Sequence, residues 1–184
     1  MYFDYEFETE TGPFISWSEM LNTPPITKIE ITAEDKIWLG TDTININSYD
    51  YWIFDLDNTL YLENVSTLYK IEYEIKLKNF LIELKNNNKK LAIASHNSFP
   101  YYRLEKIGIF DYFDYIIGEY PRKKSNMINE ILEEFSTRQA KTRTIFFDDL
   151  VKNFTDCTKN GIKSILVNPE KGINFDIIKM NEKI

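Results

Sequence analysis

Tyr51-Trp52-Ile53-Phe54-Asp55-Leu56-Asp57-Asn58-Thr59-Leu60 is an apolar run that ends on two carboxylates two residues apart. The run Tyr51–Leu56 is short, aromatic and β-branched, and turn-forming residues close it, so it reads as a strand buried on both faces rather than a helix. In an open parallel sheet, function gathers at the carboxyl ends of strands. Asp55 and Asp57 stand at such an end. With no basic residue nearby in sequence, two like charges this close imply a cation or a shared proton that relieves their repulsion. The bland reading of the pair is a capping or turn device, since Asp accepts hydrogen bonds from nearby backbone amides. What lies downstream decides against it.

From Tyr51 onward, short apolar runs alternate with amphipathic segments, the pattern of a parallel sheet covered by helices. The remaining strands are predicted at Lys90–Ser95, Tyr115–Gly118, Thr144–Asp148 and Ser164–Val167. Helices are expected at about Leu68–Asn86, Tyr101–Ile107, Ser125–Phe135 and Val151–Asn160. Leu77, Phe80, Leu81 and Leu84 share one helical face, as do Ile128, Ile131, Leu132 and Phe135, and both faces are core. Three strand ends carry polar chemistry. Ser95-His96-Asn97 offers a hydroxyl beside backbone amides able to hold a phosphate oxygen. Asp148-Asp149 forms a second carboxylate pair after a hydrophobic strand, with helix capping as its bland alternative. Lys123 and Lys124 stand before the helix that begins near Ser125. Carboxylates from two strand ends, a hydroxyl and a lysine describe a Mg²⁺ site facing an anionic substrate, because hard oxygen ligands suit Mg²⁺. His96, the one histidine of the chain, reads as a loop residue able to contact substrate.

The 184 residues, 43% hydrophobic and 15% aromatic, fill one ordinary domain. A net charge of −7 counts against binding nucleic acid through overall charge. The lone Cys157 forms no internal disulfide and reads as a small buried side chain in a reducing compartment. No run approaches the roughly 18 apolar residues of a membrane span. Acidic residues Asp4, Glu6, Glu8 and Glu10 stand where a secretory signal is basic. A cytoplasmic protein without membrane contact is expected. Residues 1–50 depart from the repeat; strand candidates at Lys28–Thr32, Lys36–Leu39 and Thr43–Ile46 predict a small antiparallel β extension packed on the main domain, residues 51–184.

These motifs, Phe-Asp-Leu-Asp-Asn-Thr-Leu, Ala-Ile-Ala-Ser-His-Asn, a lysine before a helix and Ile-Phe-Phe-Asp-Asp-Leu-Val-Lys-Asn, occur in order over about Tyr51 to Val167. In this the chain resembles the haloacid dehalogenase-like superfamily of phosphohydrolases, and within it the small capless magnesium-dependent phosphatases. The resemblance implies an α/β Rossmann-like three-layer fold with a central parallel sheet and a Mg²⁺-dependent phosphomonoesterase that passes through an aspartyl-phosphate. It casts Asp55 as nucleophile and metal ligand, and Asp57 as general acid and base whose backbone carbonyl binds metal. Thr59 orients the loop. Ser95, with His96 and Asn97 beside it, binds the substrate phosphate, and Lys124 neutralises charge on Asp55 and the phosphoryl group. Asp149 binds metal, with Asp148 as ligand or support, and Asn153 follows the acidic pair. Lys123 can exchange with Lys124, and Asp148 with Asp149; helix phase favours Lys124, which Met127, Ile128, Ile131 and Leu132 follow as an inward stripe.

The links from Asp55 to Ser95 and from Ser95 to Lys124 are too short for a cap domain. An open site follows, with Leu60–Thr67 as a flap and Tyr61 and Leu62 near its mouth, accessible to small or macromolecular phosphoesters. Two other readings remain. A nucleic-acid end-processing phosphatase would draw on Arg122-Lys123-Lys124 and Lys89-Lys90, against the acidic overall charge. A non-catalytic interaction module would have little use for clustered carboxylates. Oligomeric state leaves no mark in the sequence.

Overall fold

The computed structural model describes residues 43–135 and 140–179. The strand candidates at Lys28–Thr32 and Lys36–Leu39 lie outside the described residues. In chain order the elements are β1 (Ile44–Asn45), β2 (Tyr51–Phe54), α1 (Thr67–Asn86), β3 (Lys90–Ser95), α2 (Pro100–Lys106), β4 (Tyr115–Gly118), α3 (Lys124–Glu134), β5 (Thr144–Asp148), α4 (Val151–Lys159), β6 (Lys163–Leu166) and β7 (Ile178–Lys179). Strands β2 to β6 form one parallel sheet in the order β4-β3-β2-β5-β6. The chain winds outward from β2 to β4, then restarts on the other side of β2. The crevice between β2 and β5 is therefore the point where strand order reverses, where open α/β sheets place their ligands.

Alternation along the strands sorts the core into two layers. Trp52, Phe54, Leu91, Ile93, Ile145 and Phe147 face α1 and α2, while Ile53, Ala92, Ala94 and Phe146 face α3 and α4. The first layer is aromatic. Phe147 stacks on Trp52 and Phe54 at 5.9 and 5.3 Å between centroids, and Phe80 of α1 meets both rings edge-on. Large rings on one face and alanines on the other let α3 approach the sheet closely, which matters for the reach of Lys124.

Of the first fifty residues, 43–50 are described: Ile44 and Ile46 are buried in the aromatic layer, and β1 pairs with β7 in parallel. The chain then turns through a short 3₁₀ segment, Ile46–Ser48, into β2. Tyr61 and Leu62 are buried rather than placed at the mouth. The Leu56 carbonyl accepts the amides of Leu60 and Tyr61, both at 2.9 Å, and this tight turn folds the following apolar pair back under the sheet. One helix and its turns connect β2 to β3, and one helix with a 3₁₀ turn connects β3 to β4, so no cap domain is inserted in either place. Among the described residues no helix is long and apolar enough to cross a membrane.

Phe80→Ala removes a buried ring that touches Trp52, Phe54 and Phe175. It should cost about 3–5 kcal/mol, read as a lower urea midpoint at unchanged slope.

Candidate active site

Register brings the acidic groups together before any side chain moves. Phe54 pairs with Ile93 and with Phe147, and the Asp55 amide donates to the Phe147 carbonyl at 2.8 Å. Asp55 and Asp148 thus leave adjacent strands at the same level. Beyond Asp55 the chain reverses through Asn58, whose φ of +58° lies in the left-handed region that Asn tolerates better than most residues. The Tyr73 hydroxyl of α1 donates to the Thr59 carbonyl at 2.5 Å and accepts the Ile173 amide at 3.1 Å, which fixes the turn from below. Thr59 Oγ1 is buried and finds no hydrogen-bond partner among the described residues.

Asp55, Asp148 and Asp149 each offer a carboxylate oxygen within 4.8 Å of the other two. Lys124, the first residue of α3, enters this group from the alanine-lined face. Its buried Nζ donates to Asp55 Oδ1 at 2.5 Å and to the Ala94 carbonyl, and lies 3.5 Å from Asp148 Oδ2. Met127, Ile128, Ile131 and Leu132 are buried along the same face of α3, while Lys123 points to solvent. The two aspartates of β5 differ in their ties. Asp148 is fully buried and accepts the Leu150 amide at 2.8 Å and the Asn153 side-chain amide at 3.1 and 3.0 Å. Asp149 is half-buried, and a long 3.5 Å contact from Asn58 is its side-chain hydrogen bond. Asp149 therefore has more freedom to bind something new.

The Asp57 carboxylate belongs to a different constellation. Arg103 of α2 pairs with its Oδ1, and Asn97 donates to its Oδ2 at 3.1 Å. Arg103 also reaches Glu63 at 2.8 Å and lies over the Tyr61 ring. Ser95 is buried with its Oγ accepting the Asn97 amide at 3.0 Å, which leaves the hydroxyl proton free to donate. Asn97 spends its side chain on Asp57 and on the Phe99 amide. His96 is half-buried, its Nε2 2.7 Å from the Arg122 carbonyl, and burial holds its imidazole below the usual range. Sequence reasoning missed Arg103 and Glu63. Arg103 lies on a helix whose phase is set only once Leu104 is known to be the buried position, and Glu63 sits in a turn without periodicity.

Burial dominates the electrostatics. It raises the Asp55 carboxyl despite Lys124, raises Asp149, and with the neighbouring Asp55 charge pushes Asp148 up to about 7. The three carboxylates together hold more negative charge than one lysine neutralises. This donor set of hard oxygens at one strand-end crevice fits a small divalent cation.

A family model described as haloacid dehalogenase-like hydrolase matches residues 61–167, more than half of the chain. The chain belongs to that family. Among solved structures it is similar to the N-terminal part of the Bacteroides fragilis protein BF1531, which contains a phosphatase domain and was solved with Mg: 15% identity, TM-score 0.56, covering 70% of this chain and 39% of that one. It is also similar to a predicted phosphatase from Clostridium acetobutylicum, with 20% identity and a TM-score of 0.50, covering 67% of this chain and 87% of the other. At such identities the likeness speaks for the fold. Comparison with curated proteins gives no match.

A raised carboxyl binds its proton more tightly folded than unfolded. The metal-free protein should therefore lose this contribution to stability as pH rises from the ordinary carboxylate range to about 7. A cation needs the ionised form, so the rise in melting temperature caused by Mg²⁺ over EDTA should grow between about pH 5.5 and about pH 7.5. Asp149→Asn should flatten that difference, as measured by thermal unfolding across the pH series.

Proposed function

We propose that the protein is a Mg²⁺-dependent phosphomonoester hydrolase that works through an aspartyl-phosphate on Asp55. The observation that carries the reading is the buried Lys124–Asp55 pair at 2.5 Å, set beside Asp148 and Asp149 at the crevice between β2 and β5. A structural ion pair gains little from two further carboxylates crowded beside it. A site built to receive a cation and a phosphate does.

Asp55, Asp149 and Asp148 would hold Mg²⁺, together with the Asp57 backbone carbonyl. When bound, the cation balances the carboxylates and draws negative charge off the phosphate oxygens. Lys124 and the Leu56 amide hold the Asp55 carboxylate in place. A carboxylate oxygen of Asp55 attacks phosphorus as the bond from phosphorus to the leaving oxygen breaks. Asp57, protonated, gives its proton to that leaving oxygen; as carboxylate it then takes a proton from the water whose oxygen displaces Asp55 and releases inorganic phosphate. Arg103 and Asn97 hold one Asp57 oxygen each. The free Ser95 proton donates to a phosphate oxygen, with His96 at the edge of the substrate site. Asn153 supports the cluster through Asp148.

Without a cap, the substrate reaches the site directly. Phosphorylated small molecules are the substrate class favoured here, and the net charge of −7 weighs against nucleic acid ends.

Hydrolysis of phenyl phosphate should require Mg²⁺ and fall at least about a thousandfold in Asp55→Asn, with the circular dichroism spectrum unchanged. Equal rates in the two proteins would sink the mechanism. No turnover in either, with Mg²⁺ binding also absent, would point to the non-catalytic module.

A further inference from the structure

Large apolar side chains exposed to water among the described residues fall in two groups, one around the crevice and the adjoining α2, the other on α1. Helix α1 buries Tyr73, Leu77, Phe80, Leu81 and Leu84. Leu68, Ile71, Ile75 and Ile82 follow one another at spacings of three, four and seven residues, which puts them in one stripe on the opposite side of the same helix. They are 69, 51, 56 and 41% exposed. A helix that is apolar on two opposite faces belongs between two layers, and the sheet supplies one of them.

The register of β1 with β7 fixes where the chain before Thr43 arrives. Ile44 pairs with Ile178 in parallel, so the residues before β1 come in from the same side as those before β7. Phe175 and Ile177, just before β7, form one wall of a cavity of about 530 Å³ whose other wall is Tyr69, Glu72 and Lys76 of α1. Phe175 meets the rings of Tyr73 and Phe80 at 5.6 and 5.4 Å between centroids. The chain thus enters the main body beside α1. Glu72 stands four residues from Leu68 and three from Ile75, so the cavity and the stripe adjoin on the helix surface.

We infer that residues 1–42 dock on the outer face of α1, with the strand candidates Lys28–Thr32 and Lys36–Leu39 laid over Leu68, Ile71, Ile75 and Ile82, so that the helix becomes a middle layer. Composition suits that seat. Tyr2, Phe3, Tyr5, Phe7, Phe14 and Trp17 crowd the start of the segment, Ile29 and Ile31 alternate in one strand candidate, and Ile37, Trp38 and Leu39 run through the next. Residues 1–42 hold nine acidic and two basic residues, so the net charge of −7 is theirs, and the neutral remainder of the chain sets up no net repulsion against them. Reach is ample: the stripe is about 21 Å long at the rise of an α-helix, which about seven extended residues span. A segment tethered next to its seat has an effective concentration on the order of millimolar, and so displaces a second copy or a free partner from the same face. The seat is independent of the phosphatase reading.

The test uses the full chain. Ile75→p-benzoylphenylalanine is photolysed in dilute solution, and the cross-linked peptides are identified by mass spectrometry. Links within one chain to residues 1–42 are expected, at least about tenfold more abundant than those from Lys159→p-benzoylphenylalanine on α4, which covers the other face of the sheet. Links that join two chains would assign the face to a second copy and overturn the inference, as would links that avoid residues 1–42 or none at all. A second measurement does without photochemistry. Ile71→Asn combined with Ile75→Asn changes two exposed side chains; it should leave the circular dichroism spectrum intact and speed proteolytic cleavage within residues 1–42 at least about tenfold. An unchanged cleavage rate would count equally against docking.

Discussion

Lys124 stands against Asp55 and Asp148 where three carboxylates converge on the edge of a hydrophobic sheet. Charges taken out of water are costly, and a buried lysine facing buried aspartates is tolerated only when geometry supplies partners for each. Here the geometry is supplied by the backbone. The register of β2 with β5 places Asp55 and Asp148 side by side, the small side chains Ala92 and Ala94 let α3 lie close, and the Ala94 carbonyl takes another of the Lys124 protons. Breaking such a pair from one side costs about 3–5 kcal/mol in comparable cases. Under the proposed function, the same four side chains that are costly to bury together are the ones that would meet a cation.

The floor of the site and its rim are built from different materials. Asp55, Ser95 and Asp148 end strands whose neighbours are buried, and their positions follow from sheet register. The rim is made of loops and first helical turns that carry Phe99, Tyr102, Tyr120, Leu150 and Val151, all exposed. Where the β3 and β4 loops meet, Gly118 leaves room for its neighbours: a Cβ there would lie 2.4 Å from the Asn97 carbonyl oxygen and 2.6 Å from Pro100. The floor is set by main chain, and the rim is free to carry specificity, as loops on rigid scaffolds usually are.

How much of this was legible in the sequence depended on which physical signal each element leaves. Strands buried on both faces appear as unbroken apolar runs, and β2 to β6 were read within a residue or two of their ends. Helix phase favoured Lys124 over Lys123 without deciding between them, and the stripe Met127, Ile128, Ile131 and Leu132 is indeed the buried face of α3, with Lys124 on its buried side. The unequal roles of Asp148 and Asp149 were not legible, since both follow the same strand and only the Asn153 and Leu150 contacts tell them apart. The Arg103–Asp57–Glu63 cluster joins helix α2 to two turn residues after β2 and leaves no pattern. Tyr61 and Leu62 looked like a flap because their apolar character was read without the reverse turn that buries them. The β1–β7 pairing joins two-residue strands from opposite ends of the described chain, and so short a ladder carries no alternation to detect.

The hydroxyl of Tyr73 has one hand on the Thr59 carbonyl and the other on the Ile173 amide. It makes the turn after β2 a neighbour, mechanically, of the segment after β6. Gly172 sits against that ring so closely that a Cβ would fall 2.4 Å from it, and its φ of +71° suits glycine in any case. A surface loop ordinarily drifts in sequence without consequence for chemistry elsewhere. This one acts as a gauge: its backbone sets how high Tyr73 stands and hence where the turn through Thr59 lies, so Gly172, more than a hundred positions away along the chain, is bound to the same constraint as the aspartates at that strand end.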